Sequence, residues 1–350
     1  MRVSGAQDQK LALPIGANKM MTYEACGMPN AVPVCPLMRE RSFPMTRTPS
    51  RILAAFATLS LAPWGALCGA EKSTAPAITL DLTAQTRSED GTPQLVRESW
   101  RPDATAIIVC DMWDLHHCHN AVLREAEMAP RMNEVLKTMR EQGVFIIHAP
   151  SSCLKAYEGH PARERAKSAP RAASLPDKID AWLKQLPAEQ KAVYPIDQTD
   201  GGEDDDPADH AAWAKELAAK GLNPRQPWTR QTDALSIAAD KDAISDSGVE
   251  IWNLLEARGI QNVILMGVHV NMCVAGRPFG LRQMAKNGKH VVLMRDLTDS
   301  MYNPARWPQV DHFRGTALFI EYVEQTICPT ITSDQLIGGE PFSFRGAARQ

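Results

Sequence analysis

The stretch that most constrains this chain is residues 262–283, NVILMGVHVNMCVAGRPFGLRQ. Its apolar run, residues 263–266, reads as a buried strand. A glycine-containing turn follows, and Cys273 falls where the next helix should begin. A thiol there meets unpaired backbone N–H groups and the positive end of a helix dipole. Both favour the thiolate, which is the nucleophilic form. One segment thus offers an attacking sulfur with an anion hole beside it.

The surrounding sequence repeats the same alternation. TAIIVC, residues 105–110, reads as a strand, and residues 130–142 as a helix with Met132, Val135, Leu136 and Met139 on one face. Gly143 ends it, and VFIIH, 144–148, is the next strand. Residues 246–258 are helical, with Ile251, Leu254 and Leu255 facing inward, and Gly259 ends them. After the 263–266 strand come a helix over 278–287, Gly288, a strand over 290–294, a helix over 315–325 and a short strand at 330–332. Glycine after a helix end suits the left-handed position. Continuous apolar strands covered by helices on both faces imply a parallel sheet. The expected fold is therefore three-layer α/β/α, with a mostly parallel, Rossmann-like sheet. Sites in such sheets lie at the carboxyl ends of the strands. Asp111, His148 and Cys273 all fall at that edge.

The alternation fails over residues 151–228, which read as a long insertion over the strand edge. Helices are expected within it at 177–185 and 208–220. It also holds GGEDDDP, residues 201–207. That acidic run is either a solvated loop or a set of oxygen ligands for calcium, although no EF-hand spacing is present. Other boundaries follow from composition. Residues 1–44 lack a clear period and form an extension or arise from a start placed too early. Residues 45–70 run basic, apolar, then small, the order of a secretory signal peptide, which implies a secreted or periplasmic protein. Residues 71–100 read as a linker or N-terminal segment, 101–335 as the main domain and 336–350 as a tail.

Net charge is −3 across 350 residues with no sustained Lys/Arg block, which argues against a nucleic-acid partner. No apolar run reaches the roughly 18 residues of a membrane span. Of eight cysteines, five lie beyond the signal region: Cys110, Cys118, Cys153, Cys273 and Cys328. An odd count in an oxidising compartment leaves at least one thiol unpaired. A Cys118–Cys153 disulfide is one pairing that the spacing allows. No GxGxxG or Walker loop follows the first strand, which disfavours a nucleotide binder.

IIVCDMWD, with an apolar strand ending in Asp111, and GVHVNMCVAGRPFGLRQM around Cys273 together resemble the isochorismatase-like cysteine hydrolases. That family includes nicotinamidases and N-carbamoyl amide hydrolases. The resemblance covers roughly residues 104–332, interrupted by the insertion. It implies an Asp, Lys and Cys triad, with Cys273 as nucleophile and Asp111 as acid/base. It also implies a cis peptide at Val268–His269 that aims the His269 N–H, with that of Cys273, at an oxyanion. Losing such a donor typically costs on the order of 10²–10³ in rate. The lysine is missing from its expected place. Arg230 or Gln231 occupies that slot, and Lys241 could reach the site only if its loop folds back. Arg230 would supply charge but not shuttle a proton, since its pKa lies above about 12.

Asp111 could alternatively be a helix N-cap. Trp113, Trp228, His148 and Gln231 are candidates for the pocket wall. His116 and His117, with His148, are a weaker candidate zinc set. The Asp-x-His pattern of nicotinamidase metal sites is absent. The resemblance implies a hydrolase for C–N bonds of a small amide or carbamoyl compound, without organic cofactor and with a homo-oligomer as the expected assembly. The missing lysine supports a rival reading, a catalytically degenerate binding domain.

Overall fold

The computed structural model describes residues 79–347. The expected N-terminal extension and signal peptide lie outside the described residues. Eight strands form one sheet: β1 (Leu80–Arg87), β2 (Pro93–Trp100), β3 (Thr105–Cys110), β4 (Phe145–Ala149), β5 (Ala243–Ile244), β6 (Asn262–Val268), β7 (His290–Asp299) and β8 (Thr330–Ile331). Their spatial order is β2-β1-β8-β7-β6-β3-β4-β5. Pairings from β8 through β5 are parallel, while β1 is antiparallel to both β2 and β8. The helices are α1 (His119–Glu141), α2 (Pro161–Lys167), α3 (Pro207–Ala219), α4 (Gly248–Ala257), α5 (Leu281–Lys286), α6 (His312–Thr326) and α7 (Asp334–Ile337).

The strand runs are continuous because both faces are covered. In β3, Ile107 and Val109 pack with Met128, Met132, Val135, Leu136 and Met139 of α1. The alternate residues Ile108 and Cys110 pack on the other face with Leu254 and Leu255 of α4, Met284 of α5 and Phe319 of α6. The side-chain period of two thus feeds two cores from one strand. The expected three-layer α/β/α architecture is the one observed.

Three local expectations are corrected. Residues 71–100 are not a linker throughout, because β1 and β2 form an antiparallel hairpin at the sheet edge. Its period-two signal, Leu80, Leu82 and Ala84 buried with Asp81 exposed between, is short and lies outside the α/β alternation. The expected helix at 177–185 is a series of turns. Leu183 instead donates from its backbone to the Gly276 carbonyl (2.9 Å), and Asp180 accepts from the Gly248 N–H at the start of α4 (3.0 Å). Helix α1 begins at His119, well before residue 130, because its cap comes from far away in sequence. Asp205 accepts from the His119 and Asn120 N–H groups, each at 2.8 Å.

That contact also explains the acidic run of the insertion. Asp204 pairs with Arg124 (2.7 Å), and Asp206 caps α3 through the Ala208 N–H (2.8 Å). These carboxylates work as caps and ion pairs, which sets the run apart from a fully solvated loop. Gly202 is required beside them: its φ is +75°, and a Cβ there would collide with the Met301 carbonyl. The tail is likewise packed, with Phe342 and Phe344 against the α1-side core. All five described cysteines are free; Cys118 Sγ faces Asp204 and Asp205 instead of Cys153. Among the described residues no helix is long and apolar enough to cross a membrane.

Candidate active site

The strands β3 and β6 are neighbours, with Cys110 opposite Gly267 at their carboxyl ends. They approach so closely that a Cβ at Gly267 would strike the Cys110 backbone, and Gly267 has φ +128°. Each chain then turns through a left-handed residue, Asp111 (φ 52°) after β3 and His269 (φ 64°) after β6. Non-glycine residues in that region are strained, and such strain gathers at functional sites. Aspartate and histidine are among the side chains that tolerate it best.

Asp111 is fully buried. Its Oδ1 accepts from the Ser151 N–H (3.0 Å), and its Oδ2 accepts from Arg277 Nε (3.0 Å) and pairs with Nη2 (2.8 Å). One guanidinium hydrogen bond with the ion pair on Oδ2, and the Ser151 N–H on Oδ1, hold the carboxylate in place from both sides. The Asp111 carboxylate, the His269 imidazole and the Cys273 sulfur present ligand-type atoms that all lie within 4.8 Å of one another. The acid and the nucleophile read from the sequence are therefore neighbours. Asp111 is not a helix cap, since Asp205 serves α1.

Cys273 does not open a long helix. It lies in a five-residue π-type turn, Val270–Val274, and α5 begins only at Leu281 after Gly280 breaks the path. The expected dipole-stabilised thiolate is corrected accordingly. Burial pushes the Cys273 thiol up, the Asp111 charge pushes it further, and Arg277 offsets only part of this. Burial and the adjacent carboxylate thus favour the neutral thiol over the thiolate.

The cation at this site is Arg277, not Arg230, Gln231 or Lys241. Arg230 points to solvent with its side chain 51% exposed and is held by Asp233 (2.6 Å). The reason is local: residues 113 and 231 form an isolated antiparallel bridge, and strand-like alternation that turns Gln231 inward turns Arg230 outward. Lys241 is exposed. Arg277 follows Cys273 by four residues, and its N–H donates to the Cys273 carbonyl (2.9 Å). That one-turn spacing was the signal available in the sequence. The guanidinium is mostly buried and stacks over Trp182 of the insertion (4.8 Å).

The Val268–His269 peptide is not cis; among the described residues the cis bond is Trp307–Pro308. The left-handed conformation of His269 makes the turn instead. Burial pushes its imidazole down to about 4, so it is neutral near pH 7.

Trp113 packs beside His269 of this group. Its ring stacks on Trp228 (4.2 Å between centroids, 5° between planes) and lies 5.4 Å from His269. His116 completes the aromatic group, 4.8 Å from His269 and 5.8 Å from Trp228. His148 is corrected. It is fully buried within β4, with Nδ1 2.9 Å from Gln231 Oε1 and Nε2 3.2 Å from Asp242 Oδ2. A strand residue projects perpendicular to the sheet and not along its edge, so His148 braces the loop that carries Gln231. Gln231 is buried behind Trp113, and its Nε2 has no partner. The zinc set of His116, His117 and His148 does not form, because both ring nitrogens of His148 are engaged and His116 Nδ1 accepts from the Cys118 N–H (3.1 Å).

No protein-family model and no curated protein matches the sequence. Solved structures similar to the chain include a cysteine hydrolase from Pseudomonas syringae pv. phaseolicola 1448A, at 17% identity over 70% of this chain and 95% of that one, TM-score 0.41. Another is N-carbamoylsarcosine amidase from Thermoplasma acidophilum, at 14% identity over 66% of this chain and 97% of that one, TM-score 0.33. A third is an isochorismatase family protein from Desulfovibrio vulgaris subsp. vulgaris str. Hildenborough, at 14% identity over 64% and 92% of the two chains, TM-score 0.33.

Proposed function

We propose that this chain is a cysteine hydrolase that cleaves a C–N bond of a small amide or carbamoyl compound. The observation that carries this reading is a thiol within 4.8 Å of a buried carboxylate that a guanidinium holds in place. The Cys273 sulfur attacks the substrate carbonyl carbon as Asp111 takes the thiol proton. Asp111 then gives that proton to the leaving nitrogen as the C–N bond breaks, which leaves a thioester on Cys273. Water attacks the thioester with Asp111 as base, and the thiol is restored as the acid departs. This is general acid–base catalysis by one carboxylate in two directions.

Arg277 orients Asp111 and balances its charge without exchanging protons. The thiol need not be ionised at rest, because its base is adjacent. Trp113, Trp228, His116 and His269 offer flat faces to a small planar substrate. The basic, apolar, small order of residues 45–70 supports action outside the cytoplasm, which cell fractionation would test. For the chemistry, the test is a panel of small amides and carbamoyl compounds offered to the wild type and to Cys273→Ala, with intact-mass detection of an adduct. Ammonia or amine release with a transient adduct on Cys273 is expected. Release that survives Cys273→Ala would overturn the mechanism. An inert panel with an unmodified thiol would favour a binding domain.

A further inference from the structure

A second cluster of metal-type ligands lies in the insertion, outside the catalytic group. Glu203, Asp205 and His210 present ligand atoms that all fall within 4.8 Å of one another. His210 Nδ1 is central, 2.5 Å from Glu203 Oε1 and 3.3 Å from Asp205 Oδ2. Across the gap, on the loop after β3, His117 Nε2 is 4.0 Å from Glu203 Oε2, and its Nδ1 is buried without a partner. A tetrahedral zinc with bonds of about 2.0–2.1 Å spaces its ligands about 3.3–3.4 Å apart. The His210–Asp205 separation already matches that edge.

We propose that Glu203, Asp205 and His210, with His117 as the fourth ligand, form a zinc site that clips the insertion to the loop after β3. Two imidazoles and two carboxylates suit zinc better than calcium or magnesium, which prefer oxygen alone. The donor set is compatible with the contacts already present. Asp205 Oδ2 accepts one N–H, from His119, and retains a lone pair toward His210. Binding requires that the His210 Nδ1 proton leave, that the Glu203 carboxylate open outward from its 2.5 Å contact and that His117 Nε2 close in from 4.0 Å. The site adjoins the aromatic group beside His269, since the His117 ring lies 4.1 Å from that of His116. An ion there would hold the loop after β3 in place without touching Asp111 or Cys273.

The test uses the full chain, freed of metal by chelator and then given zinc or cobalt(II) in excess and desalted. One retained zinc per chain is expected, with tetrahedral cobalt absorption and a rise of several degrees in the thermal midpoint. Glu203→Gln and His210→Gln, at half-exposed positions, should each weaken retention at least 100-fold while metal-free circular dichroism stays unchanged. His117→Gln should weaken it less. Cys273→Ala should keep the zinc in full, which separates this site from the Asp111, His269 and Cys273 group. The proposal fails if the wild type retains no zinc, if the two glutamine variants retain it equally, or if only Cys273→Ala loses it.

Discussion

The ends of β3 and β6 and the end of β4 lie at the same edge of the same sheet, yet they do different things. At β3 and β6 the reactive residue stands beyond the last paired position, and the backbone leaves through a left-handed residue. Asp111 and Cys273 can therefore face each other across a small gap. At β4 the titratable residue is still inside the strand. His148 is paired in register with Val109, and both of its ring nitrogens are engaged, by Gln231 and Asp242. Two residues of register separate Asp111, beyond the end of its strand, from His148, which braces a loop. Position at the carboxyl edge is necessary for a site in this fold, but the exit geometry of the chain decides which groups are used.

The sharpest break in that comparison comes from Cys273→Ala, which should abolish turnover while the thermal midpoint stays within a few degrees. Asp111→Asn should lower kcat about 10²–10⁴-fold, the usual range for a lost acid–base group. It should also let the Cys273 thiol titrate at lower pH, because a nearby negative charge is gone. Alkylation rate against pH reads this directly, and an unchanged profile would separate Asp111 from the sulfur.

Arg277→Gln breaks a buried pair, which typically costs about 3–5 kcal/mol in stability. It should also slow turnover and move the thiol further up. Arg230→Ala should do neither, so equal effects in urea titrations and rates would show that Arg277 is not the cation that holds Asp111.

His269 gives a pH test with a defined sign. Burial pushes its imidazole down to about 4, against 6.5 for a free histidine. Above pH 6.5 both folded and unfolded chains hold it neutral, and its contribution is complete. As pH falls from 6.5 toward 4, the unfolded chain gains a proton that the folded chain refuses, and about 3 kcal/mol is lost. His269→Asn should flatten the stability curve over that window. The smallest effect belongs to the bracing residue. His148→Asn should cost about 1–3 kcal/mol through the unsatisfied Asp242 and Gln231 groups and leave kcat near the wild-type value. A large loss of kcat without loss of stability would place His148 in the chemistry after all.

Much of this was legible before the fold was known. The strand over Thr105–Cys110 coincides with β3, and the apolar runs at 144–148, 263–266 and 290–294 lie on β4, β6 and β7 with shifts at their ends. Asp111 and Cys273 were legible because each follows a buried strand. Arg277 was harder to see. It belongs to the same local segment as Cys273, yet nothing in its neighbours says that its guanidinium reaches a carboxylate 166 positions away. The start of α1 was illegible for the same reason, because its cap is Asp205.

The sequence by itself determined the layers, since apolar period and glycine punctuation act over a few residues and specify which faces must be buried. It also pointed to Asp111 and Cys273 as neighbours, because strand ends in a parallel sheet converge on one edge. Tertiary structure alone decided the third partner, the neutral state of the thiol and the role of the acidic insertion. Those depend on which charges meet after burial, and burial removes the water that would otherwise make such pairings interchangeable.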